Sequence, residues 1–188
     1  MPTSSSLLRR ANTQRSRSSR IPPSPSSPAT SSSRPRNLLK TLTQNFKGHR
    51  FAHLVGDLLK TMGYRTRVSP EGPDKGIDIV AFTDELGLHP PIIRVQVKSG
   101  EGNVGSPEVQ AHSGAVGDKG AGLFVTLASF SKQARDFADA KGDIRLLDGD
   151  ALLELLLEHY EGLDAKYRAE IPLKRVYIPE PAEEAGEV

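Results

Sequence analysis

Three polar side chains interrupt two apolar stretches near the middle of the chain. Asp78 sits in IDIVAFT (77–83); Gln96 and Lys98 sit in IIRVQVKS (92–99). A sheet would bury valine at such places, so these groups either face solvent or converge. Both stretches read as strands, and DELGLHPP (84–91) between them turns the chain, which predicts an antiparallel hairpin. Side chains alternate faces along a strand. Asp78, Val80 and Phe82 then share one face, and so do Arg94, Gln96 and Lys98. With the turn centred near residues 87 and 88, Asp78 falls beside Gln96, Val97 and Lys98; a one-residue slip would flip a face. A carboxylate with neutral oxygens suits Mg²⁺, a hard ion that keeps several waters. A nearby ammonium can orient or deprotonate an attacking water, or stabilise a pentavalent phosphate. Taken singly, the same residues read as a turn-ending aspartate and an exposed lysine at a strand end.

The elements that must hold this hairpin follow from periodicity. Phe51, Val55, Leu58, Leu59 and Met62 form one helical stripe, and Gly63 ends the helix. TRV (66–68) predicts a short strand and SPEGPDKG (69–76) a loop. Ser106-Pro107 starts a helix that runs to about Val116. GLFVTLA (122–128), continuously apolar, predicts a buried strand. Ser131 caps KQARDFADA, IRLLDG (144–149) is a last strand, and Asp150 is the expected cap of ALLELLLEHYEGL. EIPLKRVYIPEP (170–181) reads as extended. The order α, β, β, β, α, β, α, β, α predicts an α/β fold, a mixed sheet with helices on its faces.

The 188 residues fit one domain with extra segments. The chain has no cysteine, which excludes disulfides, cysteine-ligated zinc and thiol chemistry and permits a reducing compartment. No apolar run approaches the roughly 18 residues of a membrane span. MPTSSSLLRR is too weakly apolar for a secretory signal, and the prolines of IPPSPSSPAT oppose the helix of a transit peptide. The net charge of +2 hides an asymmetry: residues 1–50 hold ten bases and no acid, and everything after them carries 15 bases against 23 acids. The expected organisation is a disordered Ser/Pro/Arg-rich basic arm (1–37), a folded domain (38–178) and an acidic disordered tail (179–188). A basic arm suits a polyanion, and the same composition also serves as a solubilising tail.

Several stretches together resemble the Mrr-type catalytic domain of type IV restriction, a branch of the PD-(D/E)xK nuclease superfamily. They are FAHLVGDLLKTMGY (51–64), SPEGPDKGIDIVA (69–81), PPIIRVQVKS (90–99), Ser106-Pro107-Glu108, GLFVTLASFSKQA (122–134) and IRLLDGDALLELL (144–156), in the family's order. The resemblance implies a restriction-endonuclease-like core, αβββαβ with an αβα extension. It implies a Mg²⁺-dependent DNA endonuclease, with Mn²⁺ able to substitute, in a restriction role and with modified DNA as one target class. It assigns Asp78 to the metal, Gln96 to the position where the wider superfamily has Asp or Glu, Lys98 to catalysis, and the Val97 carbonyl to a further metal ligand. Asp74 is auxiliary at most. Gln110, Lys75 and Ser99 are the DNA-facing candidates. Double-stranded DNA is the implied partner, a homodimer the implied assembly, and a bacterial cytoplasm the implied location.

The chain departs from the family at Ala52, where members usually carry a site-supporting Glu, and at Ser99, where a basic residue often follows the lysine. His53 and Asp57 are the neighbours that would have to substitute for that Glu. Two rival readings stay open: a repair nuclease or junction resolvase, and an inactive DNA-binding module. Among five histidines only His49 and His53 are closely spaced; they could share a metal only if their helix begins early. EGNVGS (101–106) lacks the P-loop Lys-Ser/Thr and reads as a flexible loop near DNA. Leu152, Leu153, Leu155 and Leu156 read as packing residues.

Overall fold

The computed structural model describes residues 36–72, 76–100, 102–117 and 120–174. The chain divides into two units, Met1–Ser33 and Arg34–Val188, and all of the described residues belong to the second. The elements are α1 (Arg36–Asn45), α2 (His49–Thr61), β1 (Arg65–Val68), β2 (Ile79–Phe82), β3 (Ile93–Lys98), β4 (Asn103–Val104), α3 (Ser106–Val116), β5 (Ala121–Thr126), β6 (Ser129–Phe130), α4 (Lys132–Lys141), β7 (Ile144–Leu147), α5 (Gly149–Glu158), a 3₁₀ turn (Tyr160–Gly162) and α6 (Ala165–Glu170).

The main sheet has the order β1-β2-β3-β5-β7. The β1–β2–β3 pairs are antiparallel, and the β3–β5 and β5–β7 pairs are parallel. The parallel half needs crossovers, and α3 and α4 supply them. The edges are β1 and β7, which carry exposed Arg65 and Arg67 on one side and exposed Arg145 on the other. Each face has its own core. On one, Leu42, Phe46, Phe51, Leu54, Leu58, Leu152 and Leu156 pack over Ile79, Ala81, Val95 and Val125. On the other, Val109 and Val116 of α3 and Ala134 and Ala138 of α4 pack over Phe124 and Ile144.

The expected hairpin forms, with Ile79 opposite Val95 and Ala81 opposite Ile93, which is the register centred on residue 87. Ser131 caps α4 as expected, accepting from the Ala134 N–H at 3.2 Å. Four expectations change. The described residues begin with a helix, α1, whose Leu38 and Leu42 dock on the core together with Phe46 just after it. The cap of α5 is Asp148, not Asp150: its carboxylate accepts from Ala151 N at 3.1 Å, and Gly149 is already helical. Gly149 packs so closely that a Cβ would collide with the Leu127 carbonyl, so the helix must start at a glycine. EGNVGS is not all loop, because Asn103–Val104 pairs in parallel with Ser129–Phe130. Glu170, expected to open an extended stretch, instead ends a short helix, α6, tied to α2 by Arg50–Glu170 at 2.7 Å, while residues 175–181 of that stretch lie outside the described residues.

Candidate active site

The hairpin end is built by backbone hydrogen bonds before any side chain acts. Asp78 donates its N–H to the Val95 carbonyl at 2.8 Å, and its own carbonyl accepts from Ser69 N–H at 2.8 Å. One step before the paired residues of β2, it lies opposite Gln96. There its carboxylate turns onto β3, and Oδ2 accepts the Val97 N–H at 2.7 Å. In a strand, the N–H and C=O of one residue point to the same side. The Val97 carbonyl is therefore directed to the same edge as Asp78, past the end of β2.

Asp78 and Val97 line a cleft of about 250 Å³ with Gly48, His49, Glu71 and Ser99 among its walls. The start of α2 closes it: Gly48, at φ +53°, donates its N–H to the Ser99 hydroxyl at 2.9 Å. Ser99 thus holds a helix start against β3. The donors facing this cleft are mainly oxygens, which fit a hard cation such as Mg²⁺. Among the described residues no three His, Cys, Asp or Glu side chains form a ready-made cage.

Gln96 and Lys98 leave the strand on the face opposite Val95 and Val97, toward α3. Gln96 lies over Gly76, its amide about where a Cβ at 76 would touch it, 3.6 Å away. Gly76, at φ +78°, suits this approach because it has no side chain. Lys98 Nζ forms an ion pair with Glu108 of α3, both side chains being about 40% exposed. The second oxygen of Glu108 accepts the Gly105 N–H at 3.0 Å. The Lys98 hydrogen bond, then the Gly105 N–H, holds the Glu108 carboxyl below its usual range. Arg94, on the same face, donates to the Val116 carbonyl at 2.9 Å. The structure therefore joins Asp78 to the main chain of Val97, and Lys98 to Glu108 of α3.

The remaining sequence candidates separate. Asp74 and Lys75 lie outside the described residues. Gln110 is exposed and donates to the Ser106 hydroxyl at 2.9 Å. Ala52 is 1% exposed and belongs to the core. Asp57 does not replace a carboxylate there, because it accepts the Asp164 N–H at 2.9 Å and fixes the start of α6. His49 is the α2 side chain at the cleft.

Three residues at or behind the site escaped the sequence reading: Glu71, Glu108 as partner of Lys98, and His112. The position of Glu108, three residues into a helix that opens with Gly-Ser-Pro, is the available signal, since such a Glu reaches back to the helix start. His112 is 1% exposed and stacks edge-on against Phe124 at 5.6 Å. Burial pushes its pKa down; the backbone of Gly76 and Arg94 lies near enough to oppose this, yet neither ring nitrogen makes a well-formed hydrogen bond.

Comparison with known proteins places this geometry. The restriction endonuclease model Mrr_cat matches residues 43–156, from the end of α1 into α5. The type IV methyl-directed restriction enzyme EcoKMrr of Escherichia coli (strain K12) is 38% identical over 125 residues, which cover 62% of this chain and 40% of that enzyme. The chain thus spans about two fifths of the curated relative's length. Among solved structures, the MspJI restriction endonuclease in complex with a 27-mer oligonucleotide aligns over 77% of this chain and 36% of its own, with a TM-score of 0.57 and 22% identity. The DNA modification-dependent restriction endonuclease AspBHI aligns over 72% and 37%, with a TM-score of 0.54 and 18% identity. At those identities the structures establish the fold, while the family model spans the hairpin that carries Asp78, Gln96 and Lys98. On that match, the chain belongs to the Mrr-type restriction endonuclease catalytic family.

Proposed function

We propose that the chain is a divalent-metal-dependent DNA endonuclease with a restriction or defence role in a bacterial cytoplasm. The observation that carries this reading is Asp78 held against Val97 at the mouth of a polar cleft, inside the matched segment. Asp78 and the Val97 carbonyl would hold Mg²⁺ or Mn²⁺, with Gln96 completing the site. A bound cation supplies charge for the phosphate and acidity for a water. Lys98 Nζ, released from Glu108, places a positive hydrogen-bond donor at a phosphate oxygen or on the attacking water. Double-stranded DNA is the substrate, with modified DNA the class to test first. Two copies acting together would cut both strands. Residues 1–37 add salt-sensitive phosphate contacts, and Gln110 and Lys75 add contacts beside the site.

A second reading has its own support: Lys98 is engaged by Glu108, and Ala52 is buried where the family usually carries a Glu. Both fit a DNA-binding domain that no longer cuts. The test is cleavage of methylated and unmethylated supercoiled plasmid with Mg²⁺ or Mn²⁺, comparing the parent chain with Asp78→Ala and Lys98→Ala. Cutting that disappears in both variants supports the nuclease. Intact DNA with binding retained establishes the second reading.

A further inference from the structure

We propose that His49 and His53 form a binding site for a divalent transition-metal cation at the start of α2. The site goes beyond the nuclease reading and does not depend on it. The helix begins at His49, so the two residues stand one turn apart on one face. Their Nε2 atoms are 3.0 Å apart, and the rings meet edge-on at 86°. Two nitrogens each about 2.0–2.1 Å from one cation lie roughly 2.9–3.4 Å apart at bond angles between square and tetrahedral. The pair therefore already has a chelating separation, and His53 is exposed.

The protonation state favours a ligand. Without a cation, the Nε2 contact needs one ring to donate and the other to accept. A cation replaces that shared proton, and both rings then carry hydrogen on Nδ1. The charges of Lys166 and Lys60 lie near enough to His53 to oppose a bound cation, and Glu71, a wall of the same cleft as His49, offsets them. Two protein nitrogens leave the other coordination positions to water. Imidazole ligation selects zinc, cobalt or nickel over magnesium, which demands oxygen. The occupant is thus a different class of cation from the one assigned to Asp78.

The experiment titrates the untagged full chain at pH 7.5 with Zn²⁺, Co²⁺ and Mg²⁺ by calorimetry, with cobalt also followed by its visible absorption. The variants are His49→Gln, His53→Gln and Asp78→Asn, each checked for native circular dichroism. The expected result is one equivalent of Zn²⁺ or Co²⁺ bound by the parent and by Asp78→Asn, loss of saturable binding in either histidine variant, and no Mg²⁺ binding that depends on the histidines. Absence of saturable binding in the parent, survival of binding in the histidine variants, or loss confined to Asp78→Asn would each overturn the proposal. Plasmid cleavage with Mg²⁺, measured in parallel, reports on the nuclease reading separately.

Discussion

The carboxylate and the ammonium of the candidate site are held in different ways. Asp78 is fixed by main-chain bonds: its N–H, its carbonyl and one carboxylate oxygen all engage backbone. Lys98 is held by one half-exposed side-chain pair with Glu108. A main-chain partner cannot turn away, whereas an exposed ion pair exchanges readily and is worth little. The carboxylate is thus preorganised, and in the proposed function the ammonium would leave Glu108 for a phosphate.

The largest expected effects separate these roles. Asp78→Asn keeps an oxygen for Val97 N–H, so it should lower plasmid cleavage by about 10²–10³-fold with little change in melting temperature. Asp78→Ala should lose the same activity and also destabilise the fold by about 1–3 kcal/mol, because the Val97 N–H loses its acceptor. Equal stability of the two variants in denaturant melts would break the contrast. Lys98→Ala should cut cleavage comparably while moving stability by at most about 1 kcal/mol; a larger loss would show that the lysine too is structural.

A smaller effect lies in pH. The His112 pKa is depressed by burial, so the unfolded chain takes up a proton below about 6.5 that the folded chain refuses. Stability should therefore fall as pH drops below that value, and His112→Leu should flatten the fall in melts between pH 7.5 and 5. An unchanged slope would mean that other groups set it. The smallest effect is Glu108→Gln, a few tenths of a kcal/mol at neutral pH. The Glu108 pKa is lowered in the fold, so its contribution is present above the unfolded value and lost as pH falls through the folded one. The variant and the parent should melt alike at the acid end of that range.

Much of this was legible because the informative patterns are local. The 84–91 turn set the hairpin register and hence the neighbours of Asp78, and Ser131 announced α4. What escaped was decided by packing at a distance. Asp148 and Asp150 flank the same glycine, and the choice between them follows from how Gly149 meets Leu127. Leu38 and Leu42 of α1, with Phe46 just after it, carry a four-residue spacing that the adjoining Ser/Arg-rich stretch obscured. The six residues of α6 are too few to show a period. Lys98 and Glu108 meet only because α3 crosses back over the sheet, and His49 reaches the cleft only because Gly48 starts α2 there.

The arginines on the outer strands have a consequence for how copies of this protein meet at high concentration. An open sheet edge offers unpaired amides to any extended segment, and charged side chains along it discourage such addition. With Arg65 and Arg67 on β1 and Arg145 on β7, both open ends of the main sheet carry that guard. Copies of the protein are thereby discouraged from stacking edge to edge into fibrils.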